Sequence, residues 1–169
     1  IIANDKMFHI LSDKIYTDKI LAPIRELAAN AYDAHVDNNK KNIPFDVHLP
    51  TIDEPFFSIR DYGKGLNGEQ IETLYTTYGW SDKNNSNKYV GCMGLGSKSP
   101  FAYINSFDVI SINNGIKYIY HCYMEEGIPH IMKFDEFDSD EQSGLMIKFQ
   151  VHKDDIYTFH NKSQSVFQW

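Results

Sequence analysis

The chain has 169 residues, of which 42% are hydrophobic and 14% aromatic, enough for one globular domain with a buried core. Its formal net charge of -7 leaves no broad basic field, which argues against direct binding of duplex DNA. Two cysteines are too few for a disulfide framework, and we find no secretory leader or long apolar run, so we expect a cytoplasmic protein.

The chain begins with Ile-Ile rather than Met and reaches Trp169 within a predicted helix. We therefore expect a single domain over residues 1–169 that is the N-terminal fragment of a longer protein. The seven histidines show no metal-ligand spacing, and we interpret them as surface or core residues.

The first long predicted element is a helix that Thr17 or Asp18 caps and that runs to about Asp37. Offsets of four and seven residues return to the same side of a helix, so one polar stripe carries Glu26, Asn30 and Asp33. A solvated surface would give the same stripe. The small alanines beside it and the helix-weakening Asn in its middle favour a site. The opposite, apolar side predicts packing on a sheet through Ile20, Leu21, Ile24, Leu27, Ala28 and Ala31.

Two strands are predicted next, at residues 45–49 and 56–60, and the second ends at a turn with the sequence Asp61-Tyr62-Gly63-Lys64-Gly65. The two glycines let the backbone approach a flat ligand, and a carboxylate at a strand end can accept a hydrogen bond from an amino group. An aspartate followed by glycines is also an ordinary turn, so this motif needs the support of the others.

A short helix is predicted at residues 68–78, and residues 79–90 have the polar composition of a flap. The flap leads into a glycine-rich segment that can present backbone amides and a helix N-terminus to an anion. A flexible connector is the alternative, and the Walker A pattern is absent. We interpret the segment as a phosphate-binding loop composed of Gly91, Gly94, Leu95, Gly96, Ser97 and Lys98.

The remainder is predicted to be mostly sheet. Asn113-Asn114-Gly115 indicates a hairpin between strands at residues 107–112 and 117–123. Strands at 130–134 and 145–151 follow, the acidic run 135–141 is interpreted as a solvated loop, and a helix at 154–167 closes the chain. This order predicts an α+β fold, a two-layer sandwich with helices on one face of a mixed, mostly antiparallel sheet.

The three motifs resemble, in the same order, the N, G1 and G2 boxes of the GHKL ATPases, the superfamily of type II topoisomerase ATPase domains, MutL, heat-shock chaperones and sensor histidine kinases. The matching residues are Glu26-x-x-x-Asn30-Ala31-x-Asp33-Ala34, Asp61-x-Gly63-x-Gly65 and Gly91-x-x-Gly94-x-Gly96. The resemblance spans about residues 5–151. The run from Gly94 to Tyr103 and the Arg25-Glu26 pair are most similar to phage rIIA-like proteins, which carry this domain at the N-terminus of a longer chain.

The resemblance implies the Bergerat ATP-binding fold and a domain that binds ATP with Mg²⁺. In this family pattern Glu26 would activate the water that attacks the γ-phosphate. Asn30 would bind Mg²⁺ through its side-chain oxygen. Asp33 would support hydrogen bonds on the adenine or metal side.

The resemblance also implies where the nucleotide lies. Asp61 would accept a hydrogen bond from the adenine amino group, and Gly63 and Gly65 would let the backbone lie against the purine. The glycine-rich loop with Ser97 and Lys98 would hold the phosphates, and residues 79–90 would be the ATP lid.

Two departures from the family pattern bear on activity. Relatives often carry Gly-Thr where this chain has Gly144-Leu145, so a hydroxyl contact to adenine is missing or comes from Ser143. The chain also ends before the transducer domain that supplies a lysine in several relatives. The resemblance therefore implies slow hydrolysis by the isolated domain.

The resemblance implies partners as well. Lid closure would be coupled to ATP-dependent homodimerisation or to movement of downstream domains, in the cytoplasm of an infected bacterium, with a host or phage target that the sequence does not name. The alternative is a nucleotide-dependent interaction or regulatory module that does not hydrolyse ATP. A histidine kinase catalytic domain is less favoured, because Glu26 suits hydrolysis by water and no phosphoacceptor segment is visible.

Overall fold

The structure, a computed structural model, describes residues 17–76 and 96–168. Six strands form one sheet, namely β1 Asp46–His48, β2 Phe56–Arg60, β3 Ser106–Asn113, β4 Ile116–Glu125, β5 Ile128–Asp138 and β6 Gly144–Gln150. Their order across the sheet is β1-β2-β6-β3-β4-β5. The helices are α1 Leu21–Asp37, α2 Gly68–Thr76 and α3 Ile156–Val166, with 3-10 helices at Gly96–Ala102 and Lys153–Asp155.

The α+β class is confirmed, but the prediction of a mixed sheet is wrong for the described residues, in which every pair of neighbouring strands is antiparallel. Tight turns join β3 to β4 and β4 to β5, and such turns connect only antiparallel strands. β6 then returns between β2 and β3 and runs antiparallel to both. β2 and β3, on either side of β6, are therefore parallel to each other but are not neighbours.

The β3–β4 hairpin is confirmed at the predicted turn. Asn114 and Gly115 both have positive φ, at 51° and 77°, which is the backbone of a type I′ turn. The next turn repeats this geometry at Glu126 and Gly127, with φ of 49° and 83°. Both turns match the right-handed twist of the strands, so the three strands form a continuous meander.

The acidic run is a second correction. Residues up to Asp138 belong to β5 and pair with β4, with a register shift between Ile119 and Tyr120, and only the residues after Asp138 form the loop before β6. β5 is an edge strand, and its charged side chains are exposed. Charges are common on edge strands because they oppose pairing with other chains, so charge alone does not indicate a loop.

The core lies between the three helices and one face of the sheet. The apolar side of α1 contributes Ile24, Leu27 and Ala31, as predicted. Alternate strand residues pack against this side of α1, among them Phe57, Ile59, Val109, Ile147 and Phe149. The same core also contains Ile71 and Tyr75 of α2 and Phe159 of α3. The arrangement is compatible with the predicted two-layer sandwich.

The ends of α1 follow the predicted signals. The Asp18 carboxylate accepts hydrogen bonds from the backbone N–H groups of Leu21, at 2.9 Å, and Ile20, at 3.2 Å, so Asp18 is the cap. At the other end the Asn38 side chain donates to the carbonyl of Ala34 at 2.8 Å. Within the described ranges, no helix has the length and apolar content needed to cross a membrane.

Candidate functional site

The polar stripe of α1 meets the first residue of the 3-10 helix Gly96–Ala102. A Cβ atom on Gly96 would lie 3.0 Å from Oε2 of Glu26 and 3.5 Å from Nδ2 of Asn30. A side chain at this position would crowd the Glu26 carboxylate and come into ordinary contact with the Asn30 amide, so glycine lets the 3-10 helix start close to both groups. The structure thus brings the first motif together with the last glycine of the third.

The second motif packs against the same helix, one turn further along. A Cβ atom on Gly63 would lie 3.1 Å from Cβ of Ala34, and Ala34 directly follows Asp33 in α1. Gly65 has a φ of 69°, and a Cβ there would lie 2.1 Å from the carbonyl oxygen of Ile112 in β3. Gly63 and Gly65 therefore let the turn lie close against α1 and the sheet.

The Asp61 carboxylate stands buried at the end of β2, where backbone groups fix its orientation. Its Oδ1 accepts hydrogen bonds from the N–H of Gly63 at 2.8 Å and of Leu145 at 3.3 Å. The Asp61 N–H in turn donates to the carbonyl of Leu145 at 2.9 Å. Two backbone donors on one oxygen hold this side chain in a single orientation. Leu145, the departure from the family pattern, meets Asp61 through its backbone.

The remaining stripe residues differ in exposure. Asp33 is buried, whereas the Glu26 side chain keeps 26% of its surface exposed and can meet water. The guanidinium of Arg25 lies 3.7 Å from the Glu26 carboxylate. This exposed pair adds little stability, but it places a cation beside the base candidate. Sequence reasoning did not assign Arg25 a role, although the opposite charges at adjacent positions were the available signal.

Sequence reasoning also missed the groups that hold the Asp61 turn. Nε2 of His35 accepts a hydrogen bond from the N–H of Tyr62 at 2.7 Å. Nζ of Lys40 donates to the carbonyl of Tyr62 at 2.6 Å. His35 is buried, in keeping with the interpretation of the histidines as surface or core residues, but its hydrogen bond between α1 and the turn was not predicted.

The phosphate-loop prediction has mixed outcomes. Gly91, Gly94, Leu95 and the flap at 79–90 lie outside the described residues. Ser97 is half-buried beside Gly96. Lys98 is buried, and its Nζ donates to the carbonyl of Leu74 in α2 at 2.5 Å. We assign Lys98 to joining the 3-10 helix to α2.

Burial lowers the pKa of Lys98 from 10.5 to about 8. The unfolded chain therefore binds more protons than the folded one between these values, and stability rises with pH across this window. Relative to Lys98→Met, the parent is expected to gain about 2 kcal/mol between about pH 7 and about pH 9.5. Urea unfolding at both pH values measures this gain. Lys41→Met, at an exposed position, is the matched control, and the parent should show no such gain relative to it. Equal gains of the parent relative to the two variants would contradict the effect.

The donor chemistry suits magnesium. Within residues 17–76 and 96–168, no group of three or more His, Cys, Asp or Glu side chains is arranged to hold a metal ion. Mg²⁺ is commonly held by one or two protein oxygens together with substrate phosphates and water. The Asn30 amide, which lies beside Gly96, fits that pattern.

The site therefore brings two side chains of α1, the Glu26 carboxylate and the Asn30 amide, close to Gly96. The turn that contains Gly63 packs against the same helix, and the Asp61 carboxylate is held at the start of that turn. No family model and no curated protein matches this chain, so the GHKL resemblance depends on the three motifs and on their geometry.

Proposed function

We propose that this chain is a GHKL-type ATP-binding domain with a Bergerat fold that binds Mg-ATP and hydrolyses it slowly, in a phage rIIA-like protein. One observation carries the proposal: α1 meets Gly96 through Glu26 and Asn30, and it meets Gly63 through Ala34 one turn later. Three motifs that are far apart in the chain thus share one helix surface. Convergence of this kind is expected of a site and not of unrelated turns.

The base of the nucleotide belongs at the Asp61 turn. A buried carboxylate whose direction is fixed by backbone N–H groups favours a ligand with an amino group, because a ligand without one cannot donate a hydrogen bond to it. Adenine has such a group at its six position, where guanine has a carbonyl. Gly63 and Gly65 keep side chains away from the plane of the base.

The phosphates belong at Gly96 and the residues before it. Asn30 would hold Mg²⁺ through its side-chain oxygen, and the bound ion would supply charge neutralisation for the phosphates. Glu26 takes a proton from the attacking water, since its partly exposed carboxylate is within reach of solvent. Phosphoryl transfer needs mainly positioning and charge neutralisation, which these groups provide. Coupling of ATP binding to homodimerisation or to movement of downstream domains belongs to the same proposal.

Calorimetric titration of ATP with Mg²⁺ tests the base pocket through Asp61→Asn. The asparagine retains an oxygen for the N–H groups of Gly63 and Leu145 but replaces the other acceptor with a donor. We expect ATP affinity to fall by about 100-fold, and the preference for ATP over GTP to be lost.

Asp53→Asn is the matched control, because Asp53 is exposed in the loop between β1 and β2. It should bind ATP as the parent chain does. If Asp61→Asn bound ATP as tightly as the parent, the assignment of the adenine pocket would be wrong.

A further inference from the structure

The hydrogen bonds of His35 define its protonation state. The imidazole is 1% exposed, and Nε2 lies 2.7 Å from the backbone nitrogen of Tyr62. Nδ1 lies 2.9 Å from the carbonyl oxygen of Ile43. A backbone N–H only donates and a carbonyl only accepts, so Nε2 carries the lone pair and Nδ1 carries the hydrogen. His35 is therefore a neutral imidazole in one tautomer, with both nitrogens bonded.

The backbone groups of Tyr62, which His35 and Lys40 bind, adjoin the Asp61 carboxylate that is the proposed acceptor for the base. Tyr62 stands between Asp61, whose carboxylate ends β2, and Gly63, whose N–H bonds that carboxylate. His35 holds the N–H of Tyr62, and Lys40 holds its carbonyl at 2.6 Å. His35, in the last turn of α1, and Lys40, three residues after the helix, therefore hold both backbone groups of Tyr62.

Aromatic packing keeps the imidazole in this orientation. The Phe45 ring meets the His35 ring edge-on, with centroids 6.1 Å apart, and the Tyr62 ring lies tilted at 6.2 Å. The hydroxyl of Tyr62 donates to the Asp46 carboxylate in β1. The ring that packs on His35 is thus anchored at its far end, which leaves the imidazole little freedom to flip.

We propose that His35 is a positioning residue for the nucleotide base: through the N–H of Tyr62 it fixes the turn that aims the Asp61 carboxylate at the adenine amino group. The part about adenine rests on the proposed function, and the part about the turn rests on the hydrogen bonds alone. His35 does not touch the ligand. Loss of the hydrogen bond from Tyr62 to His35 therefore weakens binding of the base, whereas binding of the phosphates around Gly96 is unchanged.

Two amide substitutions separate the two bonds of the imidazole. In His35→Gln the side-chain oxygen reaches the place of Nε2 and can accept from Tyr62. In His35→Asn the shorter amide can donate to Ile43, as Nδ1 does, but does not reach Tyr62. Both variants lose the ring, so they share the loss of packing and differ in the bond to the turn.

Three measurements read the outcome: hydrogen exchange of the Tyr62 amide without nucleotide, the Kd for Mg-ATP, and the Kd for Mg-tripolyphosphate, which has no base. We expect His35→Gln to stay within about threefold of the parent in all three. We expect His35→Asn to lose about tenfold or more in Tyr62 protection and in ATP affinity, with tripolyphosphate binding unchanged. Equal behaviour of the two variants would overturn the proposal.

A measurement on the parent chain covers the case in which a variant does not fold. The ¹⁵N shifts of the His35 imidazole should identify the tautomer with hydrogen on Nδ1, and hydrogen on Nε2 would overturn the proposal. Failure of the proposed function has a different signature: the parent would not bind ATP, although the tautomer and the Tyr62 protection agreed with expectation. That result would overturn the adenine part and leave the turn contact standing.

Discussion

Replacement of Glu26 with glutamine is expected to lower ATP turnover by about 100-fold or more, because glutamine cannot take a proton from water. Affinity for ATP should change by less than about threefold, since the side chain keeps its size beside Gly96 and the phosphates are held by other groups. Phosphate release at saturating ATP measures turnover, and calorimetric titration measures affinity. Glu69→Gln, an exposed carboxylate at the start of α2, is the matched control and should leave both quantities unchanged.

The same experiment separates the alternatives. A parent chain that binds ATP but releases no phosphate would favour the non-hydrolysing interaction or regulatory module. Unchanged turnover in Glu26→Gln would contradict the role of Glu26 as the base. Transfer of labelled phosphate to the protein itself would favour the histidine kinase alternative. Each outcome has its own readout, and none depends on knowing the partner of the domain.

Replacement of Gly65 with alanine is expected to destabilise the domain by about 3 kcal/mol or more, because the new methyl group meets backbone. The Cβ would lie 2.1 Å from the carbonyl oxygen of Ile112, a β3 residue that is paired with strands on both sides. The turn would have to move away from β3, and Asp61 would move with it. Urea unfolding measures the loss, and ATP titration of the folded fraction should show weaker binding.

Gly115 is the matched control for this substitution. Its φ of 77° is close to the 69° of Gly65, so alanine carries a similar backbone strain at both positions. At Gly115 nothing lies within 4 Å of the added Cβ, and the expected cost is about 1 kcal/mol from the left-handed backbone alone. Equal losses at the two sites would mean that the close approach of the turn to β3 is not rigid.

Local patterns in the sequence predicted the local parts of the fold. The spacing of apolar residues predicted α1 and its buried side, and Asn114-Gly115 predicted the hairpin with its positive φ angles. These features depend on neighbours a few residues away. The acidic end of β5 was misjudged because a strand at the edge of a sheet tolerates charge, and edge position is a property of the whole sheet.

The site divides in the same way. The motifs predicted that Glu26, Asn30 and Gly96 lie together, and the structure places them together. The role of His35 depends on Tyr62, 27 residues away, and the burial of Lys98 depends on Leu74, 24 residues away. A lone histidine near the end of a helix and a lysine after three glycines give no local sign of such partners. Only the packing of α1 and α2 against the turns reveals them.

The place of β6 in the sheet has a consequence for how the protein is made. β6 is the only one of the six strands that pairs with both β2 and β3, so until β6 has been translated β1 and β2 have no strand pairing that joins them to β3, β4 and β5. The three motifs have already been translated by then, but Asp61 still lacks the amide of Leu145, 84 residues downstream. A chain released before residue 144 would carry every recognisable signature of a nucleotide site and have no continuous sheet to hold it.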